Sequence, residues 1–516
     1  MLKSGTRLTV LTMGSRVLGL VREMTKAAFL GTSALSDAFS VAYIIPNLLR
    51  RLFAENSISV AFIPTFQQYL SRDKKDEVKE FLSATFTLLS FVTVVTVIIG
   101  MAITPFIIPF FGTGSDETVL LTRIMFPYLA VISIAAFFQG ILNTVKVFSP
   151  SGFTPILLNL IIIGATYWLS PMMANPARAM SVGVLAGGIV QAGFQLPFVI
   201  AKGFKFGFVP LRRAFSNPGT KTVLRLIGPT ILGMAAYQVN ELASTMLAGN
   251  AGAGVVSSLN YSLRLQELVL GVFIASIGTV ILPDLSAQAA KKEWSAFNSL
   301  LKQAVNSVAL ITIPVTFYSL VSGEGLITLL FKSRSFSDES VALTLAAFVW
   351  HIAGIYFIAM NRVIGPAFYA QSDTKSPSLA GIISVFINVA FAIALVGPMK
   401  GGGVALALSI ASASNTVMLL WLLRKKTDVD LAGLLKSTGL YSLRMVAFSL
   451  LAAYPIWRFR AQIYSAFAGH NRLVSQGVPL LVSLCIFAAI GILCLLVTRD
   501  PIATKLVAKV REKAKK

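Results

Sequence analysis

The amino-acid sequence predicts an all-α polytopic membrane protein with fourteen transmembrane helices, and three observations carry that reading. Of its 516 residues 55% are hydrophobic and only 13% charged, with a mean hydropathy of +0.77, a balance that belongs to chains dissolved in a bilayer. Apolar runs of about 20 residues, enough for one crossing each, recur along the whole length. Lysine and arginine gather in alternate connecting segments, as the positive-inside rule requires of a multi-pass chain.

Charge-poor runs place the spans at roughly 8–30, 34–70, 81–110, 119–145, 152–172, 179–200, 222–248, 254–286, 301–322, 340–366, 377–397, 401–423, 440–457 and 474–497. The first interrupts its apolar face with Arg16 and Arg22. The second and eighth are too long for a straight crossing; each holds arginine near its middle and a proline near its end, Pro64 and Pro283, so a tilt or break is expected there. Gly401–Gly403 opens the twelfth span and lacks the lysine and Ser/Thr of a phosphate loop.

With the N-terminus inside, the cytoplasmic loops hold Arg72, Lys74, Lys75 and Lys79, then Lys202, Lys205, Arg212 and Arg213, then Lys291 and Lys292, then Arg424, Lys425 and Lys426. Both termini are therefore expected in the cytoplasm. Ile58–Pro64 (ISVAFIP) resembles Ile277–Pro283 (IGTVILP), and FTPILLN around Pro155 matches KSPSLAG around Pro377 at nearly the same offset. The expected organisation is an N-lobe at 1–200, a C-lobe at 201–424, two extra helices within 425–498 and a basic tail at 499–516. An even number of spans per half relates the lobes by a pseudo-two-fold along the membrane normal.

Composition also excludes functions. A formal charge of +23 would suggest nucleic acid in a soluble protein, but here the cations sit in loops and in the tail Lys505, Lys509, Arg511, Lys513, Lys515 and Lys516, where anionic lipid headgroups attract them. Cys485 and Cys494 share one apolar run about 13 Å apart along a helix, too far to bridge. His351 and His470 are distant in sequence and no HExxH or CxxC spacing occurs, so neither metal nor cofactor is expected. His351 reads as an interhelical histidine. Arg16 and Arg22 also interrupt what would be the core of a cleavable signal.

The candidate functional residues are the charges inside the spans. A guanidinium in hydrocarbon costs several kcal/mol, so it faces a bundle interior or a watery cavity. It stays charged and binds phosphate bidentately. At 100° per residue Thr12, Ser15, Arg16, Gly19, Arg22, Glu23 and Lys26 form one stripe. Asn260, Arg264, Glu267 and Gly271 repeat the device, with Glu267 one turn from Arg264. Arg50 lies about 18 Å along the second span from Ala38, deep in the bilayer. The primary anion-binding set is Arg16, Arg22 and Arg50, where nearby carboxylates are few, together with Arg264, whose guanidinium Glu267 can hold in place. Asp37, at the outer mouth, is expected to gate by pairing with an arginine, and Arg51 to pair with Glu55. Ser15, Asn47 and Glu267 support the set; Asn240, Glu241, Asn260 and Arg362 are weaker cavity candidates, with Asn361 beside them.

The stretches SRVLGLVRE (Ser15–Glu23), SDAFSVAYIIPNLLRRLFAE (Ser36–Glu55) and YSLRLQEL (Tyr261–Leu268), with FPYLAVIS, GILNT and PAFY, resemble the MurJ/MviN family throughout the chain. Those proteins are bacterial lipid II flippases of the multidrug/oligosaccharidyl-lipid/polysaccharide exporter superfamily. The resemblance implies a non-enzymatic transporter in the cytoplasmic (inner) membrane that moves undecaprenyl-diphosphate-linked peptidoglycan precursor outward by alternating access through a cationic central cavity. It places the family's cavity arginines on Arg16, Arg22, Arg50 and Arg264, its outer-gate aspartate on Asp37 and its supporting glutamate on Glu267. It also implies a groove for the polyprenyl tail in the last two helices, and membrane lipids and the cell-wall synthesis machinery as partners. Arg362 departs from relatives that carry lysine there. Two readings compete: an exporter of another lipid-linked oligosaccharide or amphipathic compound, and a membrane glycosyltransferase, which would need carboxylates in a sizeable outer loop.

Overall fold

A computed structural model describes residues 2–52, 58–72, 74–113, 115–271, 275–426, 428–500 and 504. Among them every regular element is helical. In chain order these are α1 (Leu2–Leu30), α2 (Ala34–Arg50), α3 (Ile63–Ser71), α4 (Lys75–Ile107), α5 (Asp116–Met125), α6 (Tyr128–Thr144), α7 (Ser149–Leu169), α8 (Pro176–Ala201), α9 (Leu211–Ser216) and α10 (Pro218–Asn250). They continue as α11 (Val255–Val269), α12 (Ala275–Ala290), α13 (Trp294–Phe331), α14 (Asp338–Ala353), α15 (Ile355–Tyr369), α16 (Lys375–Met399), α17 (Gly401–Leu423), α18 (Leu431–Ser465) and α19 (Val478–Val497).

Ten helical stretches among the described residues have the length and apolarity of a membrane span: Lys75–Phe111, Asp116–Thr144, Ser149–Met172, Pro176–Ala201, Trp294–Phe331, Asp338–Tyr369, Lys375–Met399, Gly401–Leu423, Leu431–Ser465 and Leu473–Val497. The other four expected spans fall on α1, α2–α3, α10 and α11–α12, which are also helical. These segments carry Arg16, Arg22, Asp37, Arg50, Glu241 and Arg264. In the second span α2 ends at Arg50, Ile58–Phe62 winds as a π-helix, and α3 starts with Pro64 in its first turn. A proline there removes a backbone donor the first turn does not need.

Two predicted spans prove longer than their apolar cores. α13 runs 294–331 instead of 301–322, and α18 runs 431–465 instead of 440–457. Charges had marked premature ends, but the folded chain neutralises several of them. Arg444 of α18 pairs with Asp500 just beyond α19, and Arg460 pairs with Glu324 of α13 at 2.6 Å. The single span expected at 340–366 is divided at Gly354 into α14 and α15.

The chain forms two compact units, Met1–Ser257 with Ser333–Phe336, and Ser258–Lys332 with Ser337–Lys516. The first is built on an aromatic core. Phe62, Phe66, Phe81 and Phe137 are fully buried, with ring centroids of Phe62 and Phe81 5.7 Å apart and of Tyr69 and Phe81 4.6 Å apart. Such offset stacks add to burial. Buried amides then tie helices where no water is present: Gln191 of α8 donates to the Thr154 carbonyl of α7 at 2.9 Å, and Asn159 of α7 to the Ser15 carbonyl of α1 at 3.4 Å. That second bond fixes the height of α1 and hence of its arginines. In the second unit α18 lies against α13 and α19 through Ala309, Met445, Ala452, Ile456 and Phe487.

Candidate functional site

The polar stripe of α1 changes character along its length. Ser15 is half-buried and Arg16 exposed, whereas Glu23 and Lys26 are buried. Arg16 has no ion pair or hydrogen-bond partner among the described residues, so its guanidinium offers all five donors to an incoming anion. Arg22, one and a half turns on, is paired: its Nη2 lies 2.7 Å from Oε1 of Glu23, with both side chains largely shielded. This corrects the expectation that carboxylates near Arg22 are too few. The neighbouring residue in sequence supplies one, and the pair lowers the cost of holding the charge away from water.

Arg50 donates from Nε to Oδ1 of Asn47 at 2.9 Å, one turn back on α2. Asn47 is buried, so it works as an orienting group that leaves the rest of the guanidinium fork directed elsewhere. Arg51 takes a partner on another helix. Its Nη1 meets Oε2 of Glu241 on α10 at 2.5 Å, and Glu55 lies outside the described residues. Adjacent helical residues point about 100° apart, so Arg51 ties α2 to α10 while Arg50 faces another way. Glu241 is thereby an anchor of Arg51, and Asn240 beside it is half-buried.

Asp37 overturns a second expectation. Among the described residues it pairs with no arginine. Fully buried on the first turn of α2, it accepts hydrogen bonds from the backbone N–H groups of Gly254 and Ser257, both at 2.7 Å. The aspartate therefore caps the start of α11, where orphan donors and the helix dipole favour a carboxylate. Lys26 interacts electrostatically with it and donates from Nζ to Ser40 Oγ at 2.6 Å. Backbone approach makes this corner tight. Gly254 sits at φ +83°, and a Cβ there would lie 2.6 Å from the Thr32 carbonyl oxygen; Gly31, at φ +58°, would meet the Ser335 carbonyl oxygen at 1.9 Å. Only glycine fits either position.

In the second unit Arg264 Nη1 lies 2.8 Å from Oε2 of Glu267, both exposed, with Asn260 half-buried one turn earlier. His351 is interhelical: its Nδ1 is 2.6 Å from Ser262 Oγ, and its carbonyl accepts from Gln266. Asn361 is engaged within the helices, donating to the Ser412 carbonyl at 3.0 Å and accepting from Thr416 at 2.8 Å, while Arg362 beside it is exposed. Lys26 was legible on the α1 stripe, one turn beyond Arg22, yet only its contact with Ser40 marks it as part of the Asp37 corner. Among the described residues no three His, Cys, Asp or Glu side chains converge to hold a metal.

Comparison with known proteins agrees along nearly the whole chain. The family model described as lipid II flippase MurJ matches residues 26–476. A probable lipid II flippase MurJ of Treponema pallidum (strain Nichols) is 45% identical over 517 residues, covering 99% of this chain and 98% of the relative. The lipid II flippase MurJ of Burkholderia cenocepacia is 31% identical over 427 residues, covering 80% and 82%. Among solved structures, a lipid II flippase MurJ in an inward closed conformation superposes with TM-score 0.78 at 24% identity over 96% of this chain and 99% of that one. An inward-facing multidrug resistance MATE family transporter of the MOP superfamily follows at TM-score 0.68 and 14% identity, over 84% and 99%. The chain belongs to the lipid II flippase MurJ family.

Proposed function

We propose that this flippase carries lipid II from the cytoplasmic to the outer leaflet of the bacterial inner membrane by alternating access, with Arg16, Arg22, Arg50 and Arg264 receiving the diphosphate. The difficulty is physical: a diphosphate carrying sugars and a peptide has to cross hydrocarbon. Charge-assisted hydrogen bonds from fixed guanidinium groups replace the hydration it loses. The observation that carries the reading is Arg16, exposed and without a carboxylate on a helix whose next arginine is about 9 Å along the axis. An inside-negative potential favours outward movement of an anionic headgroup by about 2.3 kcal/mol per charge for each 100 mV.

The finer organisation belongs to the same reading. Fourteen crossings form two six-helix repeats, 1–200 and 201–424, related along the membrane normal. The repeated ISVAFIP and IGTVILP segments support this, as does π-winding at 51–52 and at 270–271, in each case starting seven residues before the segment. Both termini are cytoplasmic, as the loop charges require. α18 and α19 hold the polyprenyl tail, and the basic tail meets anionic headgroups. Cell-wall synthesis enzymes are the partners that consume the delivered lipid.

Complementation of a flippase-deficient strain tests the arginine set. Arg16→Ala, Arg22→Ala and Arg264→Ala should each fail to support growth at membrane levels near wild type. Lysine in place of Arg16 should restore part of the function, because it keeps the charge but not the bidentate fork. Full function of the alanine variants would remove the arginines from the transport site.

A further inference from the structure

The second unit contains two cavities that share a wall and use none of the candidate transport residues. One, of about 520 Å³, is polar and lined by Glu324, Lys332, Asp338, Trp457, Arg458 and Arg460. The other, also about 520 Å³, is apolar and lies between α13 and α18, walled by Phe317, Leu320, Val321, Leu451, Tyr454 and Trp457. Trp457 belongs to both. The polar cavity stands at the ends of α13 and α18 near Phe331 and Ser465, the apolar one a turn or more deeper along the same helices. Trp457 and Tyr454 thus mark the level of a membrane–water interface, where amphipathic rings settle.

Charge accounting in the polar cavity leaves a surplus. Glu324 is neutralised by Arg460 at 2.6 Å and Asp338 by Lys332. Arg458 is the third cation; it lies over the Phe459 ring at 5.7 Å and has no ion-pair partner among the described residues. A chamber with one uncompensated guanidinium, opening beside a slot for hydrocarbon, has the two-part chemistry of an anionic amphiphile.

From this we infer that the second unit holds a resident anionic glycerophospholipid. Its phosphate lies against Arg458 and one acyl chain lies between α13 and α18, in the non-cytoplasmic leaflet under the orientation proposed above. A neutral or zwitterionic lipid would leave Arg458 without a net counter-charge. The carboxylates, already paired, do not compete for it. Bound there, the lipid acts as a wedge that fixes α18 on α13 and is not cargo.

The test uses the full-length protein in nanodiscs of dioleoyl phosphatidylcholine doped with dioleoyl phosphatidylglycerol, followed by native mass spectrometry of retained lipid. Wild type should retain one phosphatidylglycerol in preference to phosphatidylcholine. Arg458→Gln should weaken that retention roughly tenfold, the worth of one charge-assisted hydrogen bond, and Arg458→Lys should recover most of it. Leu451→Trp, which fills the apolar slot, should also expel the phospholipid. Equal retention of the two phospholipids, or undiminished retention by Arg458→Gln, overturns the assignment. So does one-for-one displacement of phosphatidylglycerol by lipid II, which would make the slot part of the transport path. Unaltered melting of the variants in pure phosphatidylcholine separates loss of the lipid from loss of the fold, and rescue by Arg458→Lys makes the same separation within the binding measurement.

Discussion

At the scale of single residues, partner identity decides what each intramembrane charge does. The sequence shows which residues are charged inside an apolar run, and the cost of burying a guanidinium makes each one informative. It does not show which carboxylate answers which cation, because pairing partners come from anywhere in the chain. Arg51 finds Glu241, 190 positions away, while Arg22 finds its immediate neighbour Glu23. Asp37 finds no cation as its hydrogen-bond partner; it uses the backbone donors that open α11. That capping role yields a prediction. In Asp37→Ala two buried N–H groups lose their acceptor, at a cost of about 1–3 kcal/mol each. Amide hydrogen exchange across residues 254–257 should therefore speed up by roughly tenfold or more. Exchange unchanged from wild type would show that the start of α11 is held by something other than the carboxylate. A companion substitution, Gly254→Ala, should disturb the same corner by a different route, since the new methyl group collides with the Thr32 carbonyl; loss of protection at residues 32–37 is the measurement.

At the scale of elements, the apolar runs locate helices well and their ends poorly. α17 matches its predicted bounds, 401–423, because charge-free sequence fills it and Lys400 and Arg424 flank it. α18 runs past its predicted end at 457 while Arg460 beyond it finds a carboxylate in Glu324 of α13. The π-winding at 51–52, 58–62 and 270–271 falls in the two spans whose excess length, arginine and proline are visible in the residues. A connection between elements supplies a pH prediction. Asp373, in the turn between α15 and α16, is held at about 2 by the Lys426 ammonium 2.9 Å away and by the Ser376 backbone and hydroxyl donors. Its pKa is depressed from the ordinary 3.8, so its contribution to stability is present above about pH 4 and fades as pH falls toward about 2. Melting of wild type and Asp373→Asn should then differ by a constant amount at pH 5 to 7, with the difference shrinking on acidification. A gap that persists undiminished to the lowest pH would mean that the carboxylate charge is not what ties the turn to Lys426.

For the whole molecule, membership in a flippase family and the proposed phosphate-binding arginine set make one joint demand: the cargo changes leaflet and not covalent structure. Composition and loop charge made the membrane class legible, and motif resemblance made the family legible. The arrangement that lets one chain expose Arg16 while shielding Glu23 and Lys26 had to come from the fold, since it depends on α7 fixing α1 and on α2 covering its far end. The last prediction follows from these together. Purified full-length protein should bind lipid II and return it intact by mass spectrometry, with no polymerised glycan and no released diphosphate. Undecaprenyl diphosphate should compete for the site and the uncharged prenol should compete far less, because the guanidinium groups act on the diphosphate. Salt should weaken this competition more through the exposed Arg16 and Arg264 than through the shielded Arg22, since charges shielded from bulk water are screened less than exposed ones. Arg16→Ala should narrow the gap between the two competitors by roughly tenfold, the share of one charge-assisted contact. Equal competition by the neutral prenol in wild type would assign recognition to the polyprenyl chain and leave the arginines without their role. Covalent change in the lipid would place the chain among enzymes acting on lipid-linked sugars.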